Sequence, residues 1–215
     1  MNSMSRRASL ALLGGAPLAA LASARAASPD IPAAASSRET IRKRHFPNVP
    51  LVTQEGRKVN FYDDLIKDKI VVLNMMYADC AGICPGVTMN LAKLQRALGA
   101  RAGRDVFFVS ITLKPAHDTP AVLARYATVH GAGPGWLFVT GAAKDIEDLR
   151  RRLGFVDPDP ALDRDVNQHI GNVRFGNEAL QLWASCPGLV DPQRMVEVIA
   201  SVDWPTGGRP QGERP

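Results

Sequence analysis

The sequence has few cysteines, few aromatic residues and no broad basic surface. Three cysteines in 215 residues are too few to build a disulfide-stapled scaffold. The net charge of +5 arises from 26 basic and 21 acidic side chains, without the dense basic clusters that nucleic-acid binding requires. With 46% hydrophobic and 22% charged residues, the composition is that of an ordinary globular chain. A disulfide scaffold and a nucleic-acid-binding protein are therefore excluded.

The N-terminal segment has the parts of a secretory signal. Arg6 and Arg7 precede an apolar stretch over residues 10–24, and small residues at A-x-A spacing follow. The stretch is shorter than the about 20 residues that a membrane-spanning helix needs. The paired arginines resemble a twin-arginine export signal. We predict that residues 1–26 export the chain to the periplasm or to the outer face of the cytoplasmic membrane; an ordinary signal and a retained anchor are the alternatives.

The rest of the chain is predicted to form one domain, from residue 46 to residue 204. Residues 27–45 are rich in alanine, serine and proline, which predicts a flexible tether, and residues 205–215 predict a loose tail. Strands are predicted at 70–77, 105–112 and 136–140, and helices at 85–98, 119–130, 143–153 and 191–202. Gly99 is predicted to end the first helix, Thr119 and Pro120 to begin the second, and a hairpin at 172–184 to turn around Gly176 and Asn177. This order predicts an α/β fold with a central, mostly parallel sheet, flanking helices and a closing β-hairpin.

Cys80 and Cys84 lie between the first buried strand and the helix that begins at Pro85. Two cysteines four residues apart can form one disulfide or bind one metal ion. The positive end of a helix lowers the pKa of a nearby thiol and favours the thiolate, which both binds metals and attacks disulfides. The pair is therefore a candidate for redox chemistry or for metal binding, with a structural disulfide as the plain alternative.

Three features of the chain resemble the Sco/SenC family, the thioredoxin-like copper proteins that help to assemble cytochrome c oxidase. The first is a Y-x-x-C-x-x-x-C-P loop that begins at Tyr77, and the second is HDTP at residues 117–120. The third is the downstream histidine His169 in DVNQHIGNV. The resemblance covers residues 46–202 and implies a thioredoxin-like fold.

The same resemblance implies that Cys80, Cys84 and His169 bind copper. Thiolates are soft donors that select Cu(I), and an imidazole lets the site accept Cu(II) as well. The implied partner is the copper-bearing subunit of cytochrome c oxidase, or another exported client that carries copper or thiols. Peripheral membrane association stays open. These properties predict a metallochaperone rather than an enzyme.

Several positions depart from the family pattern and indicate a divergent branch. Ala81 follows the first cysteine, where the family usually has proline. Lys114 and Pro115 stand where Asp-Pro is frequent, and Ile170 follows the histidine in place of a small hydroxyl residue. The departures bear on the identity of the client more than on the metal site.

A thiol-disulfide oxidoreductase that acts on other exported proteins through Cys80 and Cys84, without copper transfer, is the main alternative. His169 distinguishes the two functions, because copper binding requires it and dithiol exchange does not. A peroxidase and a pure interaction domain are weaker alternatives. Cys186 is predicted to be a buried small residue rather than a resolving thiol.

Other residues are given structural interpretations. Met75 and Met76 alternate faces within a strand, so core packing is favoured over copper ligation. Asp118 is interpreted as part of a helix start and is assigned no chemistry.

Overall fold

A seven-stranded mixed sheet organises the part of the chain that the structure, a computed structural model, describes: residues 33–165 and 171–205. The strands are β1 (Pro50–Thr53), β2 (Lys58–Asn60), β3 (Ile70–Met76), β4 (Val106–Thr112), β5 (Trp136–Gly141), β6 (Asn172–Asn177) and β7 (Leu182–Pro187). The α-helices are α1 (Ala33–His45), α2 (Cys84–Leu98), α3 (Pro120–Val129), α4 (Ala143–Arg152), α5 (Pro160–Arg164) and α6 (Pro192–Val202). A π-helical segment, Phe61–Ile66, and a 3₁₀ turn, Gly99–Arg101, complete the described elements. In this part of the chain, no helix is both long and apolar enough to span a membrane.

The sheet has a parallel centre and antiparallel flanks. Its strand order is β2-β1-β5-β4-β3-β6-β7, and β3, β4 and β5 run parallel. The β1–β2 pair joins β5 antiparallel on one side, and the β6–β7 hairpin joins β3 antiparallel on the other. The predicted α/β class is confirmed, with parallel pairing confined to the three central strands. The short β1 and β2 strands carry only seven residues between them and were not predicted.

Every residue of β3 is buried, because the strand lies between two hydrophobic clusters. Ile70, Val72 and Met76 pack into a cluster with α2, α3 and α6. Val71, Leu73 and Met75 face the opposite cluster, which includes residues of α4 and the π-helical segment. Met75 and Met76 therefore belong to the two sides of the core, which confirms their predicted packing role.

The turn of the closing hairpin lies later than predicted. Gly176 and Asn177 belong to β6, and the chain reverses over residues 178–181, where Gln181 adopts a positive φ of 55°. Gly176 is a glycine for a different reason, since a Cβ there would collide with the ring of Trp183 on the neighbouring strand. The glycine thus serves close packing across the hairpin, whereas the sequence pattern suggested a turn.

The prediction of a flexible tether is wrong for residues 33–45, which form the helix α1. Alanine and charged residues favour a helix, and Glu39 pairs with Arg42 along the helix at 2.6 Å. Arg38 pairs with Asp68 at 2.6 Å and with Glu178, whose side chain is only 1% exposed. Glu178 also accepts hydrogen bonds from the Tyr62 hydroxyl at 2.8 Å and from the Asp68 N–H at 2.9 Å. These long-range contacts attach α1 to the domain.

We expect Arg38→Ala to lower the free energy of unfolding by about 1–3 kcal/mol at pH 7. The estimate is below the value for a fully buried pair because Arg38 is 37% exposed. Burial opposes ionisation of Glu178, but the hydrogen bond from Arg38 and those from Asp68 and Tyr62 lower its pKa overall. This stabilisation is therefore present above the pKa of unfolded glutamate and is lost as the pH falls through the lower folded pKa.

Urea denaturation at pH 7 and at several values between pH 5 and pH 3 measures the difference between Arg38→Ala and the wild type. The difference should shrink at the acid end. Arg57→Ala is the control, because Arg57 forms an exposed pair with Glu55 and should have little effect. An Arg38→Ala difference that stays constant down to pH 3 would show that the ion pair does not hold α1.

Candidate metal centre

The two thiols of the candidate site lie at the end of the sheet where β3 leads into α2. Cys80 and Cys84 are unbridged and are 7% and 2% exposed. Cys84 is the first residue of α2, and Pro85 follows in the first turn, where a missing N–H costs little. The N–H of Cys80 donates to the carbonyl oxygen of Tyr77 at 3.3 Å and closes the turn after the strand. The strand, thiol loop and helix are confirmed as predicted.

The two thiols differ in acidity. Burial opposes ionisation of Cys80, but hydrogen bonds from Cys84, from the Tyr77 hydroxyl and from the backbone of Gly82 lower its pKa overall. Burial and the adjacent Cys80 raise the pKa of Cys84 well above its usual range. The thiolate therefore forms first at Cys80, with Cys84 as its hydrogen-bond donor. A pair of this kind can attack a disulfide with one thiol and resolve the intermediate with the other.

A buried carboxylate, Asp118, anchors the thiol loop to the rest of the fold. It is fully buried, and its Oδ2 accepts hydrogen bonds from the Thr112 hydroxyl at 2.5 Å and from the Ala78 N–H at 3.1 Å. Its Oδ1 lies 2.9 Å from His117 Nδ1. Thr112 ends β4 and Ala78 begins the thiol loop, so one side chain ties two strand ends together. Sequence reasoning assigned Asp118 only to a helix start; its position shortly after a buried strand was the available signal.

We expect Asp118→Ala to lower the free energy of unfolding by about 2–3 kcal/mol, because the Ala78 N–H and the Thr112 hydroxyl lose their acceptor. The reaction rate of Cys80 with a small aromatic disulfide should also change, since the loop that holds the thiol is released. Denaturation and stopped-flow thiol kinetics measure the two effects. Asp159→Ala, which removes an exposed cap of α5, is the control and should leave the thiol rate unchanged. Wild-type thiol kinetics in Asp118→Ala would refute the positioning role.

Lys114, one of the departures from the family pattern, lies against the thiol loop. Its Nζ is 4.0 Å from the centroid of the Tyr77 ring and 3.1 Å from Asp79 Oδ1. The ammonium group lowers the pKa of Asp79, which directly precedes Cys80. The lysine thus contacts Tyr77, where the turn begins, and Asp79, the residue before the first thiol.

His169, the third predicted copper ligand, lies in residues 166–170, outside the described residues. The structure therefore brings together Cys80 and Cys84 of the three. Within residues 33–165 and 171–205, no group of three or more His, Cys, Asp or Glu side chains is arranged to hold a metal ion. The described part of the chain therefore places no third His, Cys, Asp or Glu ligand beside the two thiols.

Cys186 and His130 lie in packed surroundings. Cys186 is half-buried against the same cluster that contains Cys80 and Cys84, and burial raises its pKa. This environment agrees with a packing role. His130 is half-buried at the end of α3, with its ring 4.2 Å from that of Tyr126.

A comparison with models of known protein families identifies the family of this chain. The family model described as SCO1/SenC matches residues 38–202, which is most of the chain. The chain belongs to the SCO1/SenC family. The match begins inside α1, in agreement with the attachment of this helix to the domain.

Relatives and solved structures agree with the Sco assignment. A Stutzerimonas stutzeri protein named for copper binding is 30% identical over 113 residues, which are 53% of each chain. The chain spans about half the length of the curated relatives it matches. Copper-bound ScoI of Bradyrhizobium japonicum has a TM-score of 0.56 at 19% identity, over 72% of this chain and 98% of that one. BsSco, described as a Sco-family cytochrome c oxidase assembly protein with a disulfide switch, has a TM-score of 0.58 at 21% identity, over 71% and 90%. These structures share the thioredoxin-like fold of this chain.

Proposed function

We propose that this chain is an exported, copper-binding and redox-active assembly factor for a respiratory cytochrome c oxidase. In this proposal Cys80, Cys84 and His169 bind the copper ion, and residues 1–26 direct export by the twin-arginine route. The protein delivers copper to the oxidase subunit that carries it, or keeps the cysteines of that subunit reduced.

The thiol pair is the observation that carries the proposal. Cys80 and Cys84 are unbridged, buried and hydrogen-bonded to each other, so one ion can take the place of their thiol protons. Two thiolates form a soft donor set, which suits Cu(I) better than hard cations. Among the described residues there is no fourth ligand group of the kind that a structural zinc site would use. Copper fits this donor set.

The chain path supports His169 as the third ligand. Gly171 packs directly against Ile83, the residue before Cys84, and a Cβ at Gly171 would collide with that side chain. The carbonyl oxygen of Gly171 accepts the N–H of Gly188 at 2.7 Å, which fixes its position. Two residues span at most about 7 Å of extended chain. His169 precedes Gly171 by two residues, and this closeness in sequence to a residue beside the thiol loop supports it as the proposed third ligand.

The names of relatives and structural neighbours support the choice of client. One bears a name for copper binding, one neighbour holds copper, and another is described as an oxidase assembly protein with a disulfide switch. The opposite pKa shifts of Cys80 and Cys84 favour a second candidate function, a thiol-disulfide oxidoreductase for exported proteins. Both functions need the same thiols, so the effect of replacing His169 distinguishes between them.

Oxidase assembly in cells tests the proposal. Cells that lack the wild-type protein are supplied with the wild type, Cys84→Ser or His169→Ala, and oxidase activity and the copper content of the oxidase are measured. Copper delivery predicts that both variants fail. Normal assembly with His169→Ala and failure with Cys84→Ser would instead identify a thiol reductase. Normal assembly with both variants would overturn the proposal.

A further inference from the structure

A cavity of about 580 Å³ lies between α1, the end of α4 and the β6–β7 hairpin. We call it the α1 cavity; Ile41, Phe46 and Leu153 form its apolar wall, and Arg174, Gln181 and Trp183 its polar side. None of the residues that line it belongs to the thiol loop. Its volume is in the range of small-molecule sites, which also combine an apolar lining with a few polar groups.

Three residues that line the α1 cavity each carry a buried polar atom without a hydrogen-bond partner among the described residues. The atoms are Arg174 Nε, Gln181 Oε1 and Trp183 Nε1. Buried polar side-chain atoms are paired in the large majority of cases. Half of the six unpaired atoms found in the described residues belong to residues that line one cavity. Among the described residues, the polar side of the α1 cavity is thus incompletely satisfied by the protein's own groups.

A backbone carbonyl group and an aromatic ring hold the side chain of Arg174 in place. Its Nη2 donates to the carbonyl oxygen of Gly154 at 2.9 Å, and its guanidinium lies 5.3 Å from the centroid of the Phe155 ring. Gly154 has a φ of 70°, and a Cβ there would come within 2.5 Å of Nη2, so the glycine makes room for the arginine. No carboxylate in residues 33–165 or 171–205 forms an ion pair with Arg174, and burial lowers its pKa.

Of the three arginines that line the α1 cavity, Arg174 is the one without an ion pair among the described residues. The neighbouring Arg151 pairs with Glu147 at 2.5 Å, and Arg152 pairs with Asp148 at 2.7 Å. These two arginines are neutralised within α4. A half-buried cation without a counter-ion costs free energy, which an anionic ligand recovers.

We propose that the α1 cavity binds a small amphiphilic carboxylate. The carboxylate group pairs with the guanidinium of Arg174 beside Trp183, and its alkyl chain covers Ile41, Phe46 and Leu153. Guanidinium and carboxylate are matched in geometry, and the apolar wall requires a hydrocarbon body beside the charge. This site is separate from the thiols and does not depend on copper.

Octanoate is the probe, and isothermal titration with the full chain is the measurement. One octanoate per chain is expected, and NMR should show a shift of the Trp183 indole N–H resonance on binding. Octanol has the same chain without the charge and should bind at least tenfold more weakly.

Three variants and a control test the site. Arg174→Gln and Trp183→Phe should each weaken octanoate binding, Arg174→Gln by at least tenfold. Ile41→Glu places a negative charge at the partly exposed rim and should also weaken it, which gives a test that needs no buried substitution. Arg57→Gln removes an exposed arginine outside the cavity and should leave the affinity unchanged.

Three results would overturn the proposal. They are no octanoate binding at millimolar concentration, equal binding of octanol, and equal binding by Arg174→Gln and Ile41→Glu. Binding of the protein to lipid vesicles is measured in parallel, because it distinguishes a free carboxylate ligand from a membrane lipid. Binding to phosphatidylglycerol vesicles that requires Arg174, without binding of free octanoate, would assign the cavity to a lipid headgroup and would refute the free ligand.

Discussion

Reduced protein is expected to bind one Cu(I) ion per chain, and protein with Cys80 and Cys84 joined in a disulfide is expected to bind none. A disulfide offers no thiolate, and a ligand cysteine must lose its proton before it binds a metal. The unbridged, hydrogen-bonded thiols of the structure correspond to the reduced state. Titration of both forms against a chromophoric Cu(I) chelator gives the stoichiometry and the affinity.

Two cysteine variants serve as matched controls for the copper titration. Cys84→Ser should behave like the oxidised protein, because serine is a hard and weakly acidic ligand. Cys186→Ser removes the half-buried third thiol and should bind copper like the wild type. Stoichiometric binding by the oxidised protein, or its loss in Cys186→Ser, would place the copper ligands elsewhere.

His169→Ala is expected to weaken copper binding by about 100-fold or more, since loss of even a supporting group around a metal costs 10–100-fold. Cu(II) should be affected most, because it prefers imidazole nitrogen more strongly than Cu(I) does. Disulfide exchange should change only modestly, since Cys80 and Cys84 stay in place. Competition titrations with both oxidation states and a dithiol exchange assay measure the two activities.

His130→Ala is the control for the histidine experiment. His130 ends α3 and packs on Tyr126, so its removal should leave copper affinity unchanged. Equal copper affinity of His169→Ala and the wild type would mean that the third ligand is another group. A parallel loss of dithiol exchange in His169→Ala would mean that the histidine acts on the thiols themselves.

Local sequence signals were sufficient for the central strands and their helices. The run of apolar residues in β3 and the cap and proline at Thr119 and Pro120 each specify their element through neighbouring residues alone. Gly99, with a φ of 54°, ends α2 as predicted. The placement of the thiols between β3 and α2 was predictable for the same reason.

Long-range contacts account for the features that the sequence did not reveal. The helix α1 is held to the domain by the contact between Arg38 and Glu178, which are 140 residues apart, and no pattern within residues 27–45 predicts that contact. Gly176 resembled a turn residue, but it makes room for the Trp183 ring on the next strand. The burial of Asp118 depends on Ala78, 40 residues earlier in the chain. Such pairings become visible only in the folded chain.

The position of β3 restricts how any partner protein can meet the thiols. β3 has β4 on one side and β6 on the other, so its backbone groups are already engaged and no foreign strand can pair with it. Within the described sheet, strand addition is open at the borders formed by β2 and β7. The end of β7 leads to Gly188, which donates to Gly171 beside Ile83 of the thiol loop, so this border comes near the thiols. A partner that reaches the thiols at β3 itself therefore approaches the end of that strand, along the strand axis, with a protruding loop or a chain terminus.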